Sequence, residues 1–236
     1  MLKNVLEVKI ERAGYHDEKN TITNIQFDVG EGELVGLIGA NGAGKSTTIK
    51  AILDMLDIDG TILFKQTSGK RYAYIPEQPT FYEELTLWEH LAFAATVCEL
   101  HETEWKKDAK KLLEDFRMEH VIHHLPSSFS KGMQQKLMII IAFLIKPKVY
   151  IVDEPFLGLD PKSTKQFLRY IDQEKKRGAG ILMSTHVLDT AEKICDYLLL
   201  IADGHIKATG NIEQIRKEAG LPNGSLLDCF EELVEW

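Results

Sequence analysis

Three cysteines, Cys98, Cys195 and Cys229, stand far apart and form no CxxC, so neither a disulfide framework nor a zinc site is expected, and core packing is their role. Long apolar runs are equally scarce. The longest, from Leu137 to Ile145, is under half of the roughly 20 residues that a membrane-spanning helix needs. The opening stretch MLKNVLEVKIER lacks the uninterrupted apolar segment and small-residue cleavage site of a signal peptide, so the chain is expected to stay in the cytoplasm. Positive charge is in deficit, with 28 Lys and Arg against 36 Asp and Glu for a formal net charge of -8. That balance disfavours broad contact with nucleic acid or anionic lipid and points to a protein or small-molecule partner. No internal repeat and no low-complexity linker is present. With 236 residues, 44% hydrophobic and 27% charged, the chain can bury one large core, or a core and a subdomain.

Short β-type runs recur at 6–10, 23–29, 34–39, 60–64, 72–75, 149–153, 180–185 and 197–201, with helical stretches between several of them. Such alternation predicts an α/β fold whose buried parallel strands carry ligands at their carboxyl ends. From Leu85 to Lys146 no strand is expected. A capping box, Thr86 with Glu89, opens an amphipathic helix there, and HETEWKKDAKKLLEDFRMEH reads as a helix with one solvated face. Asp203-Gly204 reads as a hairpin turn. Ser225 with Asp228 caps a terminal helix in SLLDCFEELVEW.

The most specific motif is GANGAGKST, Gly39 to Thr47, which satisfies G-x-x-x-x-G-K-[ST] through Gly39, Gly44, Lys45 and Ser46. An apolar strand precedes it and a helical pattern follows. Glycines let backbone N–H groups turn around a phosphate chain, toward which the helix also directs its positive end. Lys45 then reaches the terminal phosphates and Ser46 ligates magnesium. Asp153 ends the apolar strand VYIVD and supplies a second metal contact, with Glu154 next to it as a base for the attacking water. Alone, such an acidic pair is as readily a solvated turn. His186 ends GILMSTH, where a lone histidine is more often structural than catalytic. His120, His123 and His124 have no carboxylate or cysteine partner nearby and read as surface residues. The stretch from Pro126 to Ile145 begins with small polar residues around Ser130 and Gly132 and becomes wholly apolar, which taken alone is a serine-capped core helix.

In this order, the P-loop, Ser-x-Gly helix start, strand-Asp-Glu-Pro, Gly-Leu-Asp and strand-end histidine resemble the ATP-binding subunit of an ABC transporter, over nearly the whole chain. The resemblance implies a P-loop NTPase with a RecA-like core and antiparallel β subdomain at about 1–84 and 147–220, a helical subdomain at about 85–146, and a terminal helix at about 224–236. It implies ATP and Mg2+ as cofactors, with Asn41, Gly42 and Thr47 joining Gly39, Gly44, Lys45 and Ser46 at the nucleotide and Tyr15 stacking on adenine. His186 is implied at the terminal phosphate. Ser130 and Gly132 are implied to cross a dimer interface to the nucleotide of a second copy. Gly158-Leu159-Asp160 matches the loop through which the copies sense each other, while Asp160 also suits capping of the helix after Pro161.

Two departures stand out. Where the family has Leu-Ser-Gly-Gly-Gln, this chain has Phe129-Ser130-Lys131-Gly132-Met133, keeping the serine and second glycine. In YIPEQP the family's metal-linking glutamine aligns most simply with Glu77, with the adjacent Gln78 as the alternative. Together with FRMEH, VDEPFLGLDP and LMSTHVLDTAEKICD, these stretches resemble the ATPase subunit of the Ecs-type transporters of Gram-positive bacteria. Such subunits pair with a separate polytopic membrane subunit at the inner face of the membrane and are associated with export linked to protein or peptide secretion. The competing function is a soluble ABC ATPase acting on a scaffold or ribosome, against which the single ABC unit and acidic balance weigh. An inactive regulatory role is disfavoured by the presence of Lys45, Asp153, Glu154 and His186.

Overall fold

The computed structural model describes residues 3–15, 18–65 and 72–234. They form two compact units, one made of the chain through Lys65 together with the chain from Gly178 onward, the other of Gln66–Arg177.

In the first unit, strands β1 (Asn4–Tyr15), β2 (Glu18–Gly30) and β4 (Ile58–Phe64) form an antiparallel sheet in the order β2-β1-β4. Leu6, Val8 and Ile10 alternate inward along β1 as a half-buried strand requires. β1 runs well beyond the expected 6–10 because the pairing with β4 shifts register between Ile10 and Arg12. Glu11 and Arg12 are both exposed there, so period-2 alternation is lost at a bulge although the strand continues. A second set of strands centres on β3 (Leu34–Ile38), paired in parallel with β7 (Gly180–Thr185) on one side and β8 (Tyr197–Ala202) on the other. β9 (His205–Gly210) returns antiparallel to β8 through Asp203-Gly204, both left-handed as a two-residue hairpin loop demands.

Helices α1 (Lys45–Ile52), α6 (Leu188–Ile194), α7 (Ile212–Glu218) and α8 (Leu226–Leu233) belong to the same unit. Leu226, Cys229 and Phe230 of α8 bury into a cluster with Ala191, Leu198, Leu200 and Ile215. The half-buried Glu192 carboxylate accepts from both the Arg216 guanidinium (2.6 Å) and the Leu226 N–H (2.8 Å), which pins the start of α8. Residues 235–236 of the expected terminal helix lie outside the described residues.

In the second unit β5 (Ala73–Ile75) and β6 (Val149–Asp153) pair in parallel. The helices are α2 (Leu87–Val97), α3 (Glu102–Phe116), α4 (Lys131–Ile145) and α5 (Pro161–Lys176), and α4 packs against the other three and against β5. Phe143 of α4 meets Tyr150, Phe167 and Tyr170 with ring centroids 5.6, 5.9 and 5.0 Å away. The buried Glu174 carboxylate beneath accepts from the Tyr150 hydroxyl (2.8 Å) and the Arg177 guanidinium (2.7 Å), so its charge is paired. Among the described residues no helix is long and apolar enough to cross a membrane.

The Ser225 hydroxyl accepts the Asp228 N–H at 3.2 Å, and the Asp228 carboxylate accepts the Ser225 N–H at 2.8 Å. Ser225→Ala is expected to cost about 1 kcal/mol, read as a lower urea midpoint. An unchanged midpoint would mean that burial of Leu226 and Phe230 holds α8 without its cap.

Candidate functional site

Strands β3, β6 and β7 have no exposed residue, so their carboxyl ends are where polar side chains first reach solvent. β3 ends at Ile38, and Gly39 to Gly44 curl into α1. Gly44 sits at φ 109° with its Cα against Ile22, and an added Cβ would come within 2.8 Å of Ile22 Cγ2. Only glycine meets both conditions. Lys45 is 5% exposed, and its ammonium folds back to donate to the carbonyls of Gly39 (2.8 Å) and Ala40 (3.2 Å). α1 has no side-chain cap hydrogen bond and no acid in its first turn. Uncapped N–H groups beside a buried ammonium fit a polyphosphate chain. Asn41 and Gly42 are exposed, Ser46 is half-buried and Thr47 buried.

Ile38 pairs with Thr185, so the loop at Gly39 and the exposed His186 leave neighbouring strands at the same end. The Thr185 hydroxyl accepts the Val187 N–H at 3.0 Å and shapes the bend that carries His186. Tyr15 ends β1 with its ring exposed, and Lys50 of α1 lies over that ring, 5.3 Å from its centroid, while donating to its hydroxyl at 3.2 Å. A groove of about 780 Å³ opens beside Tyr15, lined also by Arg12, Asp54, Met55, Asp57 and Asp59. An exposed aromatic ring at a groove's edge is suited to stack a flat base.

The second unit assembles its own group. Asp153 and Glu154 are 4% and 5% exposed at the end of β6. Glu154 has φ 45°, a left-handed conformation that non-glycine residues seldom adopt and that concentrates at functional positions. Ile75 pairs with Val152, so Glu77 follows the neighbouring strand out at the same end as Asp153. Glu77 and Gln78 are both exposed on one bend. Burial first, then the charges of Asp153 and Glu77, push the Tyr74 hydroxyl well above the usual tyrosine range. Glu77 therefore shares an electrostatic neighbourhood with Asp153, and Tyr74 is a residue that spacing alone did not single out. Among the described residues no group of three or more His, Cys, Asp or Glu could hold a metal ion. Magnesium does not need one, since it keeps waters and takes one or two carboxylates with substrate phosphates. Asp153 fits that use.

Ser130 caps α4, its hydroxyl accepting the Met133 N–H at 3.4 Å. The backbone of Gly132 lies against Gly158, so close that a Cβ on Gly132 would fall 2.4 Å from the Gly158 carbonyl oxygen. Asp160 caps α5, accepting from the N–H groups of Lys162 and Ser163, both at 3.0 Å. The Ser163 hydroxyl (2.7 Å), then its N–H and the Lys136 ammonium (3.2 Å), hold the Asp160 carboxyl well below the usual carboxylate range. The Ser-x-Gly helix start and the Gly-Leu-Asp loop are thus one packed assembly. His120, His123 and His124 are exposed.

Residues 22–157 match the family described as ABC transporter. The chain is 54% identical over 235 residues to a Bacillus subtilis (strain 168) protein named "Uncharacterized ABC transporter ATP-binding protein YthP", covering 99% of this chain and 98% of that protein. It is 41% identical over 241 residues to "ABC-type transporter ATP-binding protein EcsA" of the same organism, covering 98% and 97%. A solved structure titled "Structure of ATP binding subunit of ABC transporter" superposes with a TM-score of 0.93 at 44% identity, covering 98% of this chain and 100% of that one.

Asp160→Asn keeps a capping acceptor but removes the charge. Because the native carboxyl is held below its unfolded range, its contribution is full above about pH 4 and is lost as pH falls through the native value. The urea-midpoint gap between wild type and Asp160→Asn is therefore expected to be widest near neutral pH and to close in acid. A gap that stays flat between pH 7 and pH 3 would show that Ser163 and Lys136 do not hold the charge.

Proposed function

The chain belongs to the ABC transporter family of ATP-binding proteins, and from that premise we propose that it is the ATP-hydrolysing subunit of an Ecs-type transporter linked to protein or peptide secretion. The observation that carries the ATPase reading is the uncapped start of α1, with the buried Lys45 turned into a loop of glycines. The Ecs assignment is supported by the identity to EcsA across nearly the whole chain.

In this reading the backbone from Gly39 to Thr47 and the Lys45 ammonium bind the phosphates of ATP, and Tyr15 stacks on adenine. Ser46 and Asp153 would hold magnesium, with Glu77 or the adjacent Gln78 as a further contact. Bound there, magnesium supplies charge neutralisation on the phosphates. Glu154 takes the proton of the attacking water, and His186 contacts the terminal phosphate. Ser130 and Gly132 of a second copy close the site from outside, so two copies hold two nucleotides between them. The helical subdomain is proposed at about residues 85–146.

The proposed contact with a polytopic membrane subunit is the loop from Glu77 to Thr86. Tyr82 and Phe93 are exposed and meet edge to face, with centroids 5.4 Å apart. Beneath them the buried His90 accepts the Tyr82 N–H at Nε2 (3.0 Å) and donates from Nδ1 to the Thr86 carbonyl (2.8 Å). A firm loop carrying exposed aromatic rings suits a protein partner. That contact would hold the chain at the inner face of the cell membrane.

Glu154→Gln is expected to bind ATP and hydrolyse it on the order of 100-fold to 10,000-fold more slowly, and to dimerise on adding ATP, as seen by light scattering. Unchanged turnover would remove Glu154 from the base role, and scattering that stays monomeric would count against the shared site. Tagged protein from gently solubilised native membranes is expected to bring down a strongly hydrophobic polytopic protein in comparable amount. Recovery with only a soluble scaffold or ribosomal proteins would leave the ATPase and remove the transporter.

A further inference from the structure

The first turns of α4 hold more than Ser130. Gln135 is 2% exposed inside an otherwise apolar helix, and its Nε2 donates to the Pro76 carbonyl at 3.2 Å. Pro76 leads from β5 into the bend that carries Glu77. On the next residue, the Lys136 side chain is 12% exposed and its ammonium stands 3.2 Å from the Asp160 carboxylate. One turn earlier, the backbone of Gly132 abuts Gly158. Gln134 donates to the Pro126 carbonyl at 3.0 Å and fixes the turn that precedes Ser130. Two turns of one helix thus grip the Pro76–Gln78 bend, the Gly158–Asp160 loop and the approach to Ser130.

An apolar side chain at position 135 or 136 would pack α4 without the cost of desolvating an amide or an ammonium. What the polar residues add is direction. A hydrogen bond and an ion pair fix how far each loop stands from the helix and how it is oriented, which nondirectional packing leaves loose. The partners that these side chains hold, the Pro76 carbonyl and the Asp160 carboxylate, are not residues assigned to the nucleotide, so the expected effect falls on geometry rather than on ATP binding.

Building on the ATPase reading above, we propose that Gln135 and Lys136 are positioning residues for hydrolysis. They lock the Glu77 bend and the Gly158–Asp160 loop to the helical turn that presents Ser130, so that closure of a second copy at Ser130 sets all three together.

The test is steady-state ATP hydrolysis by the full-length chain, in the assembly in which it is isolated, with melting temperature and ATP binding measured alongside. Lys136→Met and Gln135→Met are expected to leave KM within about twofold while kcat falls on the order of tenfold to 100-fold, as for misplaced reacting groups. Lys136→Arg keeps the cation and restores most of kcat. Asp160→Asn, which retains the α5 cap should Lys136→Met fold poorly, is expected to match Lys136→Met. The Lys136→Met/Asp160→Asn double variant is expected to be no slower than either of its single variants, because both remove the same ion pair. Variants that melt earlier but keep wild-type kcat overturn the proposal, as do losses that multiply in the double variant. A wild-type chain that binds ATP without turning it over overturns the ATPase reading itself, an outcome separate from active wild type with unaffected variants.

Discussion

The organising constraint is that the strands at the centre of each unit are buried along their whole length. β3, β6 and β7 present no exposed residue, so a polar group inside any of them would need a partner in the core. Ser184 and Thr185, both fully buried at the end of β7, show the limit of what is tolerated. Chemistry is displaced to the residues just past the strand ends. Gly39, Glu154 and His186 all occupy that position, and Asp153 is the last residue of its strand. Parallel pairing then brings like ends together: Ile38 beside Thr185, and Ile75 beside Val152. Within each unit, the candidate residues at the ends of paired strands are brought to the same end in this way.

Those same strand ends explain why so much was legible beforehand. An uninterrupted apolar run followed by Gly, Asp-Glu or His is a local signal, and it marks both the strand and the residue that leaves it. Capping boxes at Thr86 and Ser225 are equally local, and both form. The Asn211 and Gln214 box at α7 has the same spacing and forms as well. The bulge in β1 hid part of a strand because two consecutive exposed residues look like its end.

What could not be read is long-range. The Gln135 to Pro76 hydrogen bond joins residues 59 positions apart, and no spacing rule reaches that far. A weaker signal existed. Gln135 lies at helical spacing with Met138, Ile139 and Ala142, all buried, so a glutamine stood in an apolar stripe where only a partnered amide is stable. Tyr74 and Lys136 carried no such mark, since a tyrosine in a strand and a lysine near a helix start are ordinary. Their importance comes from Asp153, Glu77 and Asp160, which only folding sets near them.

Helix starts give the last connection between electrostatics and use. A helix exposes unpaired N–H groups at its start and favours negative charge there by about 0.3–1 kcal/mol. Acidic residues occupy the first turns of α2, α3, α6, α7 and α8, and the Asp160 carboxylate caps α5. α1 and α4 depart from this, each having no acid in its first turn and a lysine, Lys45 or Lys131, as its first residue. A cation there opposes the helix dipole, so in the isolated chain both arrangements are mildly unfavourable. The cost is recovered if an anion arrives at each. That is what the proposed dimer provides, with Lys45 at a phosphate chain bound by its own copy and Lys131 facing the one bound by the other. The chain places a carboxylate at the cap or first turn of the helix starts that serve only its fold and none in the first turns of the two to which the proposed cycle assigns phosphate, α4 being capped by the neutral Ser130 hydroxyl.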